Sequence, residues 1–251
     1  MARGLALLVG LTSVDPAKYE NGWDGVPGAE GCENDVDNMA NILSSVDEYT
    51  INILKTELAT ASAILTCIES AASTLKSGDM FVFYYSGHGG NKKTFVSPAE
   101  PDGKDETLIA YDREIIDDDL AECWKGFAAG VRIVMLSDSC NSGTNFYFKA
   151  IQKPRKPINF TGKVPGMKAQ LIHFGACKDG QASASFGQGG AFTLALCEIW
   201  DSGKFSGTYR QFYNAIKARL IKAQLPNLQV PQFNKYGKIE PAFLNSKPFS
   251  L

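Results

Sequence analysis

The stretches FVFYYSGHGG (81–90) and RIVMLSDSCNSG (132–143) share one organisation. Each begins as a continuous apolar run, which is typical of a strand buried on both faces of a parallel sheet. Each then breaks into small and polar residues, one run ending at His88 and the other at Cys140. Because functional groups of open α/β sheets lie at the carboxyl ends of the strands, we expect this imidazole and this thiol to meet at one edge.

The remainder of the chain alternates between strand and helix patterns, which favours an α/β fold. We predict a mostly parallel six-stranded sheet with helices on both faces. The predicted strands are 5–10, 50–54, 80–85, 132–136, 170–177 and an edge strand at 230–233. The predicted helices are 33–45, 60–76, 116–127, 191–200 and 208–221. Residues 91–112 are interpreted as a loop or short hairpin.

Composition is typical of a soluble globular protein and sets limits on function. The 251 residues suit one large domain, which we assign to 1–251 with a flexible basic loop at about 144–169. A net charge of −2 and the absence of a long basic block argue against nucleic-acid binding. The apolar run LALLVGL (5–11) is too short to span a membrane, and a buried first strand is preferred over a secretory signal.

Six cysteines are scattered along the chain without a CxxC motif or zinc spacing. In a chain of this size they indicate reduced thiols rather than a disulfide framework. We therefore expect a cytoplasmic protein without a structural metal.

A thiol and an imidazole from distant segments can form a nucleophile and its base. Only two histidines are present, and His173 lies mid-strand in QLIHFGAC, which favours a packed, hydrogen-bonded core residue. His88 is flanked by glycines that leave its ring uncovered. Cys140 alone among the cysteines follows a buried strand and precedes a polar turn, which would expose its sulfur.

These segments resemble the peptidase family of caspases, metacaspases and bacterial caspase-like proteases. The matching motifs are SGHG (86–89), DSCNSG (138–143), the metacaspase-like GCEND (31–35) and QVPQF (229–233). His88 and Cys140 are 52 positions apart, close to the roughly 50-residue separation in caspases. The QACRG motif of true caspases is absent, so the metacaspase-like branch fits better. Asn141 stands where metacaspases usually carry His, which could alter how the loop is held.

The resemblance implies a caspase-like three-layer sandwich and amide hydrolysis through a thioester. Cys140 would attack the scissile carbonyl while His88 manages the proton. The backbone N–H groups of Gly89 and Cys140 would hold the oxyanion. We expect protein or peptide substrates and a monomer.

The resemblance also implies a pocket for the residue before the cleaved bond, lined by Asp35 and Asp138 and shaped by Cys32 and Ser86. Two carboxylates in a closed pocket repel one another unless a cation lies between them. We therefore predict cleavage after Arg or Lys. Without the resemblance, Asp35 reads as an ordinary acidic residue of a first helical turn.

The basic loop at 144–169 has two interpretations. A protease with basic specificity can cut itself there, and proline following Lys153 and Lys156 leaves Arg155, Lys163 and Lys168 as candidate sites. The alternative is a solubilising surface loop.

Calcium is the one cofactor left open, and no cofactor is required. In metacaspases an Asp pair comparable to those in IDDDL (116–120) binds activating calcium, and carboxylates suit that ion. An Asp that the family uses after the catalytic Cys is missing, because Asn145 and Phe146 occupy that region. We prefer the interpretation that Asp117–Asp119 caps a helix and favours its first turn.

The alternatives to a peptidase are a binding or scaffold domain and a nucleotide-binding protein. A catalytically inactive caspase-like binding or scaffold domain stays open, since fold alone does not establish activity. A nucleotide-binding protein is disfavoured, because neither GxGxxG nor GxxxxGK[ST] is present.

Overall fold

The computed structural model of the protein describes residues 2–26, 28–46, 49–93, 104–139, 166–177, 185–223 and 229–251. The strands are β1 (Gly4–Gly10), β2 (Tyr49–Lys55), β3 (Met80–Gly87), β4 (Gly89–Lys93), β5 (Lys104–Ile109), β6 (Glu114–Ile116), β7 (Arg132–Ser139), β8 (Gln170–Gly175), β9 (Ser185–Phe186), β10 (Gly189–Gly190) and β11 (Gln232–Tyr236). The helices are α1 (Cys32–Ser44), α2 (Ala61–Thr74), α3 (Asp117–Lys125), α4 (Ala191–Trp200), α5 (Tyr209–Lys222) and α6 (Pro241–Asn245).

A six-stranded sheet in the order β11-β8-β7-β3-β1-β2 forms the middle layer, which confirms the predicted fold class. Its strands are parallel except for β11, which runs antiparallel to β8 at one edge. Every residue of the central strand β3 is buried, as its continuous apolar run predicts. The edge strand β11 begins at Gln232, directly after Pro231, because proline has no N–H for the ladder.

Helices cover both faces of this sheet and complete the three layers. One face packs against α1, α4, α5 and α6 around Trp200 and Phe212. The other face packs against α2 and α3 around Trp124 and Phe127. The alternating side chains of the buried strands therefore enter two separate apolar cores.

A second, small antiparallel sheet in the order β4-β5-β6 follows β3 directly. The short hairpin, one of two alternatives for residues 91–112, is confirmed by the antiparallel β4 and β5, whereas the third strand β6 was not predicted. Leu108 and Ile115 pair across β5 and β6 and are buried against α2 and α3, which explains why this segment is ordered as strands. The small sheet also continues the chain beyond His88, since the Ile109 N–H donates to the His88 carbonyl at 3.1 Å.

Two helices, α2 and α5, begin directly after a residue whose side chain caps them. The Thr60 side chain accepts the Ala63 N–H at 3.2 Å and begins α2, while Thr208 and Gln211 form a capping box at α5. No helix among the residues described above is long and apolar enough to cross a membrane.

Candidate active site

The ends of β3 and β7 lie side by side at the carboxyl edge of the large sheet. Ser86 pairs with Asp138, and Gly87 pairs with Ser139, in the parallel register of these two strands. His88 is the next residue after Gly87, and Cys140 is the next residue after Ser139. Cys140 itself and the greater part of the basic loop, residues 140–165, lie outside the described residues. The predicted neighbours of the two chemical groups therefore meet at one edge.

His88 is half-buried beneath the loop that precedes α1. Its Nε2 lies 2.8 Å from the Gly25 carbonyl oxygen, and its ring centroid lies 5.2 Å from that of Trp23. Because a carbonyl oxygen only accepts, Nε2 carries the hydrogen and the neutral ring keeps a lone pair on Nδ1. Burial lowers the pKa of His88 below 6.5, and the contacts with Gly25 and Glu30 oppose this shift. The ring is thus held as a neutral base at pH 7.

The backbone on either side of His88 is fixed as well. The Tyr85 hydroxyl donates to the carbonyl oxygens of His88 and Ile109. Gly89 is the first residue of β4 and pairs with Leu108 of β5. Next to this pair, the Ile109 N–H donates to the His88 carbonyl oxygen. In an antiparallel ladder such a pair is non-hydrogen-bonded, so the Gly89 N–H points away from β5.

Asp35 lies fully buried in the first turn of α1. Its carboxylate accepts the Ser86 hydroxyl at 2.7 Å and the Gly190 N–H at 3.0 Å. Burial and the neighbouring Asp138 raise the pKa of Asp35 from 3.8 to about 8, against the two hydrogen bonds. Within the described ranges no Lys or Arg forms an ion pair with Asp35. The position predicted from the first-turn pattern is thus correct, but the side chain faces inward toward β3 and β7.

Asp138 lies on β7 and faces the start of α4. Its Oδ2 accepts the Thr193 N–H at 2.9 Å and the Thr193 hydroxyl at 2.7 Å. The Tyr84 hydroxyl lies 2.6 Å from Thr193 Oγ1. Only 4% of Asp138 is exposed, so these donors replace water around a buried carboxylate.

Gly189 and Gly190 allow the backbone to approach both carboxylates. A Cβ on Gly190 would lie 2.2 Å from Asp138 Oδ2, and one on Gly189 would lie 2.3 Å from Asp35 Oδ1. Gly189 also has a φ of 145°, a conformation that disfavours side chains. The glycine pair is therefore required for α4 to begin against the acidic pair.

The structure brings together three of the four residues predicted for the pocket, namely Asp35, Asp138 and Ser86. The fourth, Cys32, is the buried first residue of α1, one turn before Asp35. Its charge state affects the pKa of Tyr84, which places it near the same cluster.

His173 has the core environment that the sequence predicted. Its Nε2 lies 2.9 Å from the Ser137 hydroxyl, and burial lowers its pKa to about 4. Cys32, Cys67, Cys123, Cys177 and Cys197, the cysteines of the described ranges, form no disulfide.

The acidic run 117–119 forms the first turn of α3, where the helix dipole favours negative charge. The residue before the helix is Ile116, so no side chain caps it, and Asp117 instead accepts the Asp118 N–H at 3.0 Å. The first-turn prediction is therefore confirmed and the capping prediction is wrong. No three His, Cys, Asp or Glu side chains of the described ranges converge to hold a metal ion. The described residues alone therefore do not supply a calcium site.

Thr193, Trp23 and the Gly189–Gly190 pair were not predicted from the sequence. A glycine pair directly before an apolar helix in GQGGAFT (187–193) was the available signal for close backbone approach. Thr193 gave no signal, because it reads as an ordinary residue of a buried helix.

Comparison with known proteins identifies the family of the domain. A model of the caspase domain matches residues 3–236. Metacaspase-5 of Trypanosoma cruzi (strain CL Brener) is 30% identical over 266 residues, covering 88% of this chain and 56% of the relative. The chain spans about half or less of the curated metacaspases that it matches, from 28% to 56% of their length.

Two solved structures extend the comparison to the fold. Protein GSU0716 from Geobacter sulfurreducens has a TM-score of 0.81 and 35% identity, with 99% of both chains covered. Caspase-1 from Spodoptera frugiperda has a TM-score of 0.61 at 14% identity, covering 94% of this chain and 91% of that one, and shares the fold. With its caspase domain extending over most of its length and metacaspases among its relatives, the chain belongs to the caspase domain family, on the metacaspase side.

Proposed function

We propose that the protein is a cysteine endopeptidase that cleaves after Arg or Lys through Cys140 and His88. The observation that carries this proposal is the pairing of Gly87 with Ser139, because the next residue on each strand is the proposed base and nucleophile. Membership of the caspase domain family supports the same chemistry.

The state of His88 suits a base that first accepts and then returns a proton. Its Nδ1 lone pair takes the thiol proton of Cys140, and the resulting thiolate attacks the scissile carbonyl carbon. The imidazolium then gives that proton to the leaving amine as the C–N bond breaks and a thioester remains. Water, deprotonated by the same ring, attacks the thioester and releases the acid and the thiol. Trp23 and the Gly25 carbonyl hold the ring orientation throughout.

The position of the Gly89 N–H supports its proposed role as a donor to the oxyanion of the tetrahedral intermediate. It follows His88 directly and points away from the β4–β5 ladder. A backbone donor of this kind needs no reorganisation, and loss of one such donor in a protease costs about 3–4 kcal/mol. The Cys140 N–H is the second proposed donor.

The buried acidic pair supports basic specificity. Asp35 and Asp138 both face the backbone at Gly190, and each raises the cost of ionising the other. A guanidinium or ammonium group between them would relieve that repulsion, whereas an acidic substrate side chain would add to it. We therefore propose a pocket for Arg or Lys, with Ser86 holding Asp35 and Cys32 beside it.

A peptide panel tests this function. Peptides that differ only in Arg, Lys or Asp before the cleaved bond, assayed with and without calcium, should be cut after Arg and Lys and not after Asp. An arginyl electrophilic probe should label Cys140, and an Arg peptide should compete with it. Preference for Asp would contradict the pocket assignment, and absence of both turnover and labelling would favour a non-catalytic domain.

We also propose that self-cleavage within one molecule occurs after Arg155 or Lys163 and not after Lys168. Lys168 precedes β8, and Gln170 at the start of β8 pairs with Arg132 at the start of β7. Lys168 therefore lies at the amino edge of the sheet. The length of β7, about 23 Å, separates it from the proposed site at the carboxyl edge. The scissile bond after Lys168 cannot reach the site of the same molecule without unpairing β8.

Fragment mapping by mass spectrometry checks this prediction. Wild type should generate ends after 155 or 163, and Arg155→Gln together with Lys163→Gln should stop the cut. Lys168→Gln is the matched control and should leave the fragments unchanged. A major first-order cut after Lys168 in dilute protein would contradict it.

A further inference from the structure

A chain of buried hydroxyls runs from the sheet core to the proposed pocket. Tyr84 on β3 and Thr193 in the first turn of α4 are both fully buried. The Tyr84 hydroxyl lies 2.6 Å from Thr193 Oγ1, which lies 2.7 Å from Asp138 Oδ2. The three groups come from β3, α4 and β7 and meet at the carboxyl edge of the sheet.

The direction of these hydrogen bonds follows from the carboxylate. An ionised carboxylate only accepts, so the Thr193 hydroxyl must donate to Asp138. Its single proton is then used, and the Tyr84 hydroxyl must donate to Thr193. Burial, with smaller contributions from Asp35 and Asp138, raises the pKa of Tyr84 well above its usual value and keeps this donor protonated.

Both donors of Thr193 reach the same oxygen of Asp138. Its N–H lies 2.9 Å and its hydroxyl 2.7 Å from Oδ2. Two donors from one residue fix the rotation of the carboxylate plane as well as its position. The N–H belongs to the helix backbone and is present with any residue except proline. The Thr193 side chain contributes the second hydrogen bond, through its hydroxyl.

We propose that Thr193, held by Tyr84, is a positioning residue that orients the Asp138 carboxylate for Arg rather than Lys. This rests on the proposed function, since it assigns a role within the same pocket. A guanidinium group forms paired hydrogen bonds in a fixed plane and needs a carboxylate of defined orientation. An ammonium group is a point charge and tolerates rotation of its partner.

The test is the ratio of kcat/KM for matched Arg and Lys peptides. Thr193→Val removes the hydroxyl at nearly constant volume, and we expect kcat/KM for Arg to fall about 10- to 100-fold, mainly through KM. The Lys peptide should lose less, so the Arg-to-Lys ratio falls. Thr193→Ser restores the hydroxyl and should restore the ratio, whereas Tyr84→Phe should lower it by a smaller factor.

Ser137→Ala is the matched control. It removes a buried hydroxyl from β7, the strand of Asp138, but this hydroxyl contacts His173 and not Asp138. It should leave the Arg-to-Lys ratio unchanged. An unchanged ratio in Thr193→Val, or no rescue by Thr193→Ser, would overturn the inference while leaving basic specificity in place. If Thr193→Val does not fold, an unchanged ratio in Tyr84→Phe decides against it. A wild type that cuts after neither Arg nor Lys would overturn the proposed function, and this inference with it.

Discussion

A Cys140→Ala variant should fold like the wild type and hydrolyse arginyl peptides at least about 10³-fold more slowly. In the proposed mechanism the thiol supplies the electron pair that forms the thioester, and the alanine side chain has no hydroxyl or amine that could replace it. The fold should survive, because the strand before it is held by eight backbone pairs between β3 and β7 rather than by the thiol. Equal far-ultraviolet circular dichroism and equal unfolding temperature would show this.

Cys123→Ala is the matched control for the loss of a thiol. Cys123 is buried in α3, on the opposite face of the sheet from α1 and α4. The control should retain wild-type turnover per folded molecule. Normal turnover in folded Cys140→Ala would show that Cys140 is not the nucleophile.

The two histidines provide a parallel comparison for the base. His88→Ala should lose about 10²–10⁴-fold in kcat, the range typical of a general base. His173→Ala should lower the unfolding temperature, because it removes a buried hydrogen-bond partner of Ser137, and should keep most activity per folded molecule. The opposite pattern would assign the base to His173.

The buried strands could be predicted because their apolar runs are a local property of the sequence. The ends of the apolar runs in β3 and β7 also indicated where each strand would end, and His88 and Cys140 follow these ends in the sequence. The hairpin of β4 and β5 was one of two alternatives that the sequence left open, because GGNKK is polar and glycine-rich and KDETLI is mostly polar. Their pairing is fixed by Leu108 in the core beneath them. Such pairing depends on tertiary context rather than on local propensity.

The polar partners of the site could not be predicted in the same way. Thr193 and Asp138 are 55 positions apart, and Gly190 and Asp35 are 155 positions apart. Neither distance leaves a periodic signal, and a threonine in AFTLALCEIW fits a buried helix equally well with or without a carboxylate beside it. The family resemblance identified the two carboxylates, and the fold shows which groups form hydrogen bonds with them.

The second large effect should appear as pH dependence at Asp35. Burial and the charge of Asp138 raise the pKa of Asp35 to about 8, so the folded protein holds a proton there at pH 7. The unfolded chain releases that proton near 3.8. Between these values the folded carboxyl binds more protons, so the contribution of Asp35 to the free energy of unfolding should fall as pH rises from about 4 to about 8. His173, whose pKa burial lowers to about 4, acts in the opposite direction below pH 6.5 in both proteins. Urea unfolding should therefore show the decline in the difference between wild type and Asp35→Asn at each pH.

Binding of a basic substrate side chain should expel the same proton. A guanidinium group beside Asp35 favours the ionised carboxyl, so affinity should increase as pH rises toward 8. Calorimetry of an Arg peptide binding to Cys140→Ala, repeated in buffers of different ionisation enthalpy, measures the released proton directly. At pH 7 we expect release of close to one proton in this background and none after Asp35→Asn is added.

Other titratable groups around Asp35 separate this prediction from a general pH effect. Tyr84 on β3 and Cys197 on α4 face the cluster, but burial raises the pKa of Cys197 to about 11 and that of Tyr84 well above its usual value. Neither group changes charge between pH 6 and pH 8.5. Asp138 on β7 is the carboxylate whose charge acts on Asp35. Cys32 on α1 is a further titratable neighbour among the described residues, and Cys32→Ala leaves both carboxylates in place as the control. Proton release that persists in Asp35→Asn but disappears in Cys32→Ala would move the proton from the carboxyl to the thiol and contradict the assignment.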